Sequence, residues 1–130
     1  MVGGIRCKFC FATFQDVKNS ILPKGHLPEE QAIDVVKELA KFGFKKITFA
    51  GGEPTLCPWL SKLIKTAKDH GLTTMIVTNG TGLTDKFLSD NKENLDWIAL
   101  SVDSINESTN RIAGRAIRGK KAIELDHYKQ

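Results

Sequence analysis

The stretch Lys45-Lys46-Ile47-Thr48-Phe49-Ala50-Gly51-Gly52-Glu53-Pro54-Thr55-Leu56 decides the fold. Its first half alternates and branches like a buried β-strand. Its second half is a turn in which two glycines let the backbone approach a ligand closely. Glu53 then offers an acceptor just past the strand's carboxyl end, the edge where open α/β sheets and barrels hold their ligands. Pro54 fixes the exit, and Pro58 reads as the first residue of the next helix. A bare Gly-Gly is equally an ordinary strand-to-helix turn, so the reading needs support from elsewhere in the chain.

That support begins with the neighbours of the stretch. Upstream, a helix signal opens at Leu27, with Pro28 near its first position and Glu29 and Glu30 in its first turn. Ala32, Val35, Val36 and Leu39 form its apolar stripe and Gly43 stops it. Downstream the pattern repeats. A helix over Pro58 to Asp69 carries Leu60, Leu63, Ile64 and Ala67 on one face and ends before Gly71. A strand, Thr73 to Thr78, leads into Asn79-Gly80-Thr81-Gly82. A short helix around Thr84 to Ser89 precedes a third strand, Trp97 to Asp103. Asn106 to Ile112 reads as one or two further helical turns. Alternating strands and helices predict βαβ units and a parallel sheet covered on both faces. Parallel strands place their carboxyl ends together, so Glu53, Asn79, Ser101 and Asp103 are expected along one edge.

The totals set the bounds. The chain has 130 residues, 41% hydrophobic and 26% charged, enough for one small domain with a core. A net charge of +4 is too mild to imply nucleic-acid binding. No apolar run approaches the ~20 residues of a membrane span, and Met1 to Cys7 show no leader-like pattern. The expectations are a cytoplasmic monomer with no membrane and no nucleic acid among its partners. Three cysteines is an odd count, two of them three positions apart, which favours metal or redox chemistry over a disulfide framework. His26, His70 and His127 read as surface residues.

Cys7-Lys8-Phe9-Cys10 is the second signal. Thiolates at this spacing can turn toward one metal or one iron–sulfur cluster. A thioredoxin-like pair needs a strand before it and a helix opening at the motif, and the loop after Cys10 is unsuited to that. A zinc site needs a second close pair, which Cys57 and the histidines do not supply. Cys57 reads first as a small core residue. Near the carboxyl end Arg111, Arg115, Arg118, Lys120 and Lys121 cluster, either as a solvated helix face or as an anion site.

The pair Cys7/Cys10, with Phe9 between them and Gly51-Gly52-Glu53-Pro54 after the first βα unit, resembles the radical S-adenosylmethionine superfamily. Phe11-Ala12-Thr13-Phe14, Thr78-Asn79-Gly80, Ser101-Val102-Asp103-Ser104, Gly114-Arg115 and Gly119-Lys120-Lys121 are similar to viperin and its prokaryotic relatives. The resemblance implies one domain over residues 1–130, a partial parallel βα barrel without its first strand and its carboxyl-terminal βα units. It implies a [4Fe–4S] cluster held by Cys7 and Cys10, with Phe9 at the motif's aromatic position, and S-adenosylmethionine on the cluster's open iron. Gly51, Gly52 and Glu53 would then hold the methionine amine, and Asn79, Ser101 and Arg115 its carboxylate and the ribose. An Arg suits a carboxylate and an acceptor suits an ammonium.

The implied reaction dehydrates a nucleoside triphosphate (CTP, UTP or GTP) to its 3′-deoxy-3′,4′-didehydro form, an antiviral product. A reducing partner supplies the electron. Lys46, Lys120 and Lys121 would meet the triphosphate. One departure stands out: the family's first cluster cysteine falls at Gly3. A molybdenum-cofactor cyclase-like enzyme and a non-catalytic nucleotide-binding fragment are the alternatives.

Overall fold

The computed structural model describes residues 7–10 and 27–115. Three parallel strands, β1 (Lys46–Phe49), β2 (Thr73–Thr78) and β3 (Trp97–Leu100), lie side by side in that order. Lys46 pairs with Thr73 and Phe49 with Ile76; Met75 pairs with Trp97 and Thr78 with Leu100. Because the strands are consecutive and parallel, each link crosses back over the sheet through a helix. Helix α1 (Glu29–Lys41) precedes β1, α2 (Leu60–Asp69) joins β1 to β2, α3 (Asp85–Asn91) joins β2 to β3, and α4 (Glu107–Ile112) comes after β3.

The core lies between the sheet and the helices. Leu60, Leu63, Ile64 and Ala67 recur at helical spacing, and all four are buried on α2. Along β2, Thr74, Ile76 and Thr78 alternate inward. Val36, Leu63, Ala67 and Leu72 make one apolar cluster and Leu60, Ile64 and Ile76 a second, with Phe49 packed against both. Burying each such side chain contributes about 1.5–3 kcal/mol. Phe87 of α3 joins the second cluster, and Asn91 donates from Nδ2 to Ser61 Oγ of α2 at 2.9 Å. Helices α1, α2 and α3 therefore share one side.

Among the described residues helices cover one face of the sheet, where cover on both was expected. Among the described residues the other face, carrying Lys46, Thr48 and Trp97, is open to solvent. Helices on one side only is the layout of a barrel wall, where the second face looks inward. Two smaller differences concern boundaries. Pro58 does not begin α2; a single 3-10 turn (Pro54–Leu56) comes first, and Trp59 is the residue before Leu60. Pro54 takes the first position of that turn because its missing N–H has no helical partner there. The third strand ends at Leu100, short of Asp103.

Caps set the short helices. Thr84 Oγ1 accepts from Phe87 N at 3.1 Å and Asn106 Oδ1 from Thr109 N at 3.1 Å. Asp96 closes the far end of the sheet. Its carboxylate accepts from Thr74 N at 2.8 Å and from Lys68 Nζ at 2.5 Å, joining the start of β3 to β2 and α2.

Candidate functional site: the carboxyl rim of the sheet

The rim is built from the three loops that leave the strands. After β1, Gly51 has φ +136°, a backbone conformation that side-chain-bearing residues rarely adopt. A Cβ built on Gly51 or Gly52 meets nothing within 4 Å, so both face open space. Glu53 is next, in extended conformation, and caps the 3-10 turn with its side chain. It is only 7% exposed. Its Oε1 accepts from Thr55 N at 3.2 Å, Thr55 Oγ1 at 2.6 Å and Thr78 Oγ1 at 2.6 Å. Its Oε2 accepts from Asn79 N at 2.8 Å.

After β2, Thr78 Oγ1 also accepts from Gly80 N at 3.0 Å. Asn79 Oδ1 accepts from Thr81 N at 2.9 Å and Thr81 Oγ1 at 2.6 Å, which leaves Nδ2 as its side-chain donor. The loop then presses on the first turn. A Cβ at Gly82 would lie 2.1 Å from Thr55 Oγ1, so only glycine lets this loop rest against the Thr55 side chain.

After β3, Ser101 N donates to Thr78 O at 2.8 Å. The carbonyl of Ser101 accepts from Arg115 Nη2, and Asp103 pairs with Arg115 Nη1. Arg115 is 4% exposed, and its Nε has no partner among the described residues. Backbone bonds hold it there: Arg115 N donates to Asn110 O at 2.8 Å at the end of α4.

The cysteine turn docks at the same place. Lys8 N donates to Ala113 O at 2.8 Å, and Cys10 N to Cys7 O at 3.2 Å. Cys7 is half-buried; Phe9 and Cys10 are exposed. Burial pushes the Cys7 thiol above its ordinary range. The Arg115 guanidinium, within hydrogen-bonding reach, opposes that shift, while Asp103 and Cys10 add to it. Contacts thus run from Glu53 through Thr78 and Ser101 to Arg115, and the cysteine turn docks two residues before it, on Ala113.

Seven candidates, Cys7, Gly51, Gly52, Glu53, Asn79, Ser101 and Arg115, are brought to this rim, with Phe9 and Cys10 on the docked turn. Lys46 stands at the other end of β1, on the open face, about 10 Å below Phe49 at the usual strand rise. Lys120, Lys121 and the Phe11 to Phe14 segment lie outside the described residues, as do His26 and His127. His70 is exposed at the end of α2. Cys57 is half-buried against Leu60, Ile64 and Ile76, a packing role.

The open glycine turn, the Asn79 donor and a buried Arg115 with a spare N–H suit a ligand carrying an ammonium and a carboxylate. For an iron–sulfur cluster the rim supplies two thiols, and the third position of the motif is Gly3. No group of three or more His, Cys, Asp or Glu gathers into a metal site among the described residues. The donor type fits a cluster and the donor number is one short.

Sequence reasoning missed Thr55 and Thr78 as partners of Glu53, and Asp103 as the counter-ion of Arg115. Thr78 carried a usable signal. It continues the inward alternation of Thr74 and Ile76 to the strand end, so its hydroxyl had to find a buried acceptor.

Known proteins share this pattern. The family model of the Radical SAM superfamily matches residues 4–125. An "S-adenosylmethionine-dependent nucleotide dehydratase" of Lacinutrix mariniflava is 64% identical over 124 residues, covering 95% of this chain and 26% of the relative. A protein of the same name from Flammeovirga pacifica is 64% identical over 112 residues, covering 86% of this chain and 39% of the relative. The solved structure "Native anSMEcpe with bound AdoMet" superposes with a TM-score of 0.60 at 26% identity, over 86% of this chain and 33% of that one. The chain therefore spans about a quarter to two fifths of the length of these relatives. No helix among the described residues is long and apolar enough to cross a membrane. With the match running over nearly all of its residues, the chain belongs to the radical S-adenosylmethionine superfamily.

Proposed function

We propose that this chain is the cofactor-binding part of a nucleotide dehydratase that uses S-adenosylmethionine. One observation carries the reading: Arg115, Ser101, Thr78 and Glu53 form a run of contacts along the strand ends, with the cysteine turn docked beside Arg115. The relatives at 64% identity are named for this activity, which supports it.

In this reading Cys7 and Cys10 are iron ligands, with Phe9 shielding them. The Gly51–Gly52–Glu53 turn receives the methionine amine, and Asn79, Ser101 and Arg115 receive its carboxylate and the ribose. Lys46, Lys120 and Lys121 neutralise a nucleoside triphosphate of the CTP, UTP or GTP class. The product is the 3′-deoxy-3′,4′-didehydro nucleotide, made for antiviral defence in the cytoplasm by a monomer with a reducing partner. A bound [4Fe–4S] cluster and its cofactor supply the radical chemistry; the protein binds, orients and excludes water.

The two-thiol donor set favours a second reading, a nucleotide-binding piece without catalysis. Anaerobic reconstitution with iron and sulfide separates the two, run on the chain and on Gly3→Cys. A brown protein that, given S-adenosylmethionine, dithionite and CTP, releases 5′-deoxyadenosine, more strongly in Gly3→Cys, supports the enzyme. A colourless protein that binds CTP supports the second reading. Unchanged iron content in Cys10→Ala rules out the cluster.

A further inference from the structure

We propose that Glu53 acts on the cofactor at one remove. Its carboxylate is a brace fixing the Gly51–Gly52 turn against the Asn79 loop, with Thr55 and Thr78 as its hydroxyl struts. The cofactor's ammonium is received by the glycine backbone, not by the Glu53 side chain. The inference rests on the S-adenosylmethionine reading and deepens it. It assigns positioning roles to two residues, Thr55 and Thr78, that the motif itself does not mark.

The donors around Glu53 carry the argument. Four hydrogen bonds converge on one carboxylate, three on Oε1 and one on Oε2. All four donors are neutral, two hydroxyls and two backbone amides, and they come from two different loops. Such bonds to a charged acceptor are about twice as strong as neutral ones. Thr78 cannot turn away: its one proton goes to Glu53, and its oxygen takes the Gly80 amide. Glu53 Oε2 accepts one bond and keeps a lone pair, but the residue is only 7% exposed, so an ammonium aimed at it would have to enter a nearly enclosed pocket. Beside it, Gly51 and Gly52 are exposed, with nothing where a side chain would be.

The brace also sets a spacing. Glu53 Oε2 holds the backbone of Asn79, whose Oδ1 is taken up by Thr81 of its own loop. The contact of Gly82 on Thr55 closes the same loop from its other end. The glycine turn and the Asn79 donor meet opposite ends of one small ligand, so a strut lost between them loosens both contacts together. Direct contact predicts something else: losing the charge at Glu53 would weaken only the ligand that carries an amine.

The test compares two ligands on the reconstituted full chain: S-adenosylmethionine and its des-amino analogue. Thr78→Val and Thr55→Val are expected to raise the dissociation constants of both ligands by a common factor of about ten, with iron content unchanged. Glu53→Gln keeps one oxygen but turns an amide donor toward the donors around it. It is expected to weaken both ligands equally as well. A Glu53→Gln variant that loses only the preference for the amine-bearing ligand overturns the brace. So do threonine variants that bind both ligands like the unsubstituted chain.

A second measurement needs no cofactor. Amide exchange at Asn79 and Gly80 is expected to be slow in the unsubstituted chain and at least roughly tenfold faster in Thr78→Val. Fast exchange in the unsubstituted chain overturns the brace by itself. Failure of the unsubstituted, reconstituted chain to bind S-adenosylmethionine, with those amides protected, overturns the cofactor reading and with it the brace's role toward the ammonium.

Discussion

Two buried charges sit on the same rim and are satisfied in opposite ways. Glu53 has no cation beside it among the described residues; hydroxyls and amides from the loops after β1 and β2 surround it. Arg115 has a carboxylate, Asp103, and one carbonyl, and keeps an N–H in reserve. Neutral donors spread over two loops hold backbone in place. An ion pair with an unfilled donor leaves capacity for a further anion. Among the described residues the acid end of the rim is closed on itself, and the basic end keeps one unmatched buried N–H.

Breaking the acid end should have the larger effect on folding. Glu53→Ala strands four donors at a buried position, and a loss of about 3 kcal/mol is expected by urea unfolding. Arg115→Ala frees Asp103, whose side chain is 41% exposed and rehydrates, so about 2 kcal/mol is expected there. Equal losses in the two variants would erase the contrast. A smaller effect separates the two thiols. Cys7 is half-buried with its thiol pushed up by burial, whereas Cys10 is exposed. Iodoacetamide at about pH 8 should label Cys7 several-fold more slowly, read by mass spectrometry.

The smallest effect lies at the other end of the sheet and calibrates the first two. Lys68, and then the Thr74 amide, hold the Asp96 carboxyl below its ordinary 3.8. A lowered value in the folded chain means the stabilisation is complete above that ordinary value. It is lost as pH falls through the folded one. Asp96→Asn should therefore flatten the acid limb of the stability curve, by less than about 1 kcal/mol. A variant with an unchanged acid limb would show that the ion pair contributes nothing.

Local chemistry made much of the molecule legible. The α2 stripe Leu60-Leu63-Ile64-Ala67, the alternation of Thr73 to Thr78 and the glycine turn after Phe49 each carry their period within a few residues. Their elements appear within a residue or two of expectation. Pro58 misled because proline suits the second position of a turn as well as the start of a helix, and here it sits in the turn closed by Leu60 N on Cys57 O. That helices α1, α2 and α3 lie on one face of the sheet could not be read from strand composition. Thr48 and Trp97 would suit a buried face, and which side the helices cover depends on how the crossovers pack.

The sequence by itself determined the alternation of parallel strands and helices, the edge on which Glu53, Asn79, Ser101 and Asp103 were expected, and, through its motifs, the family. These come from periodicity and from motifs a few residues long. Only the tertiary structure decided what each rim charge is bonded to. Thr78 lies 25 residues from Glu53, and Asp103 12 from Arg115. A hydrogen bond depends on where folding brings a donor, and distance along the chain carries almost no information about that.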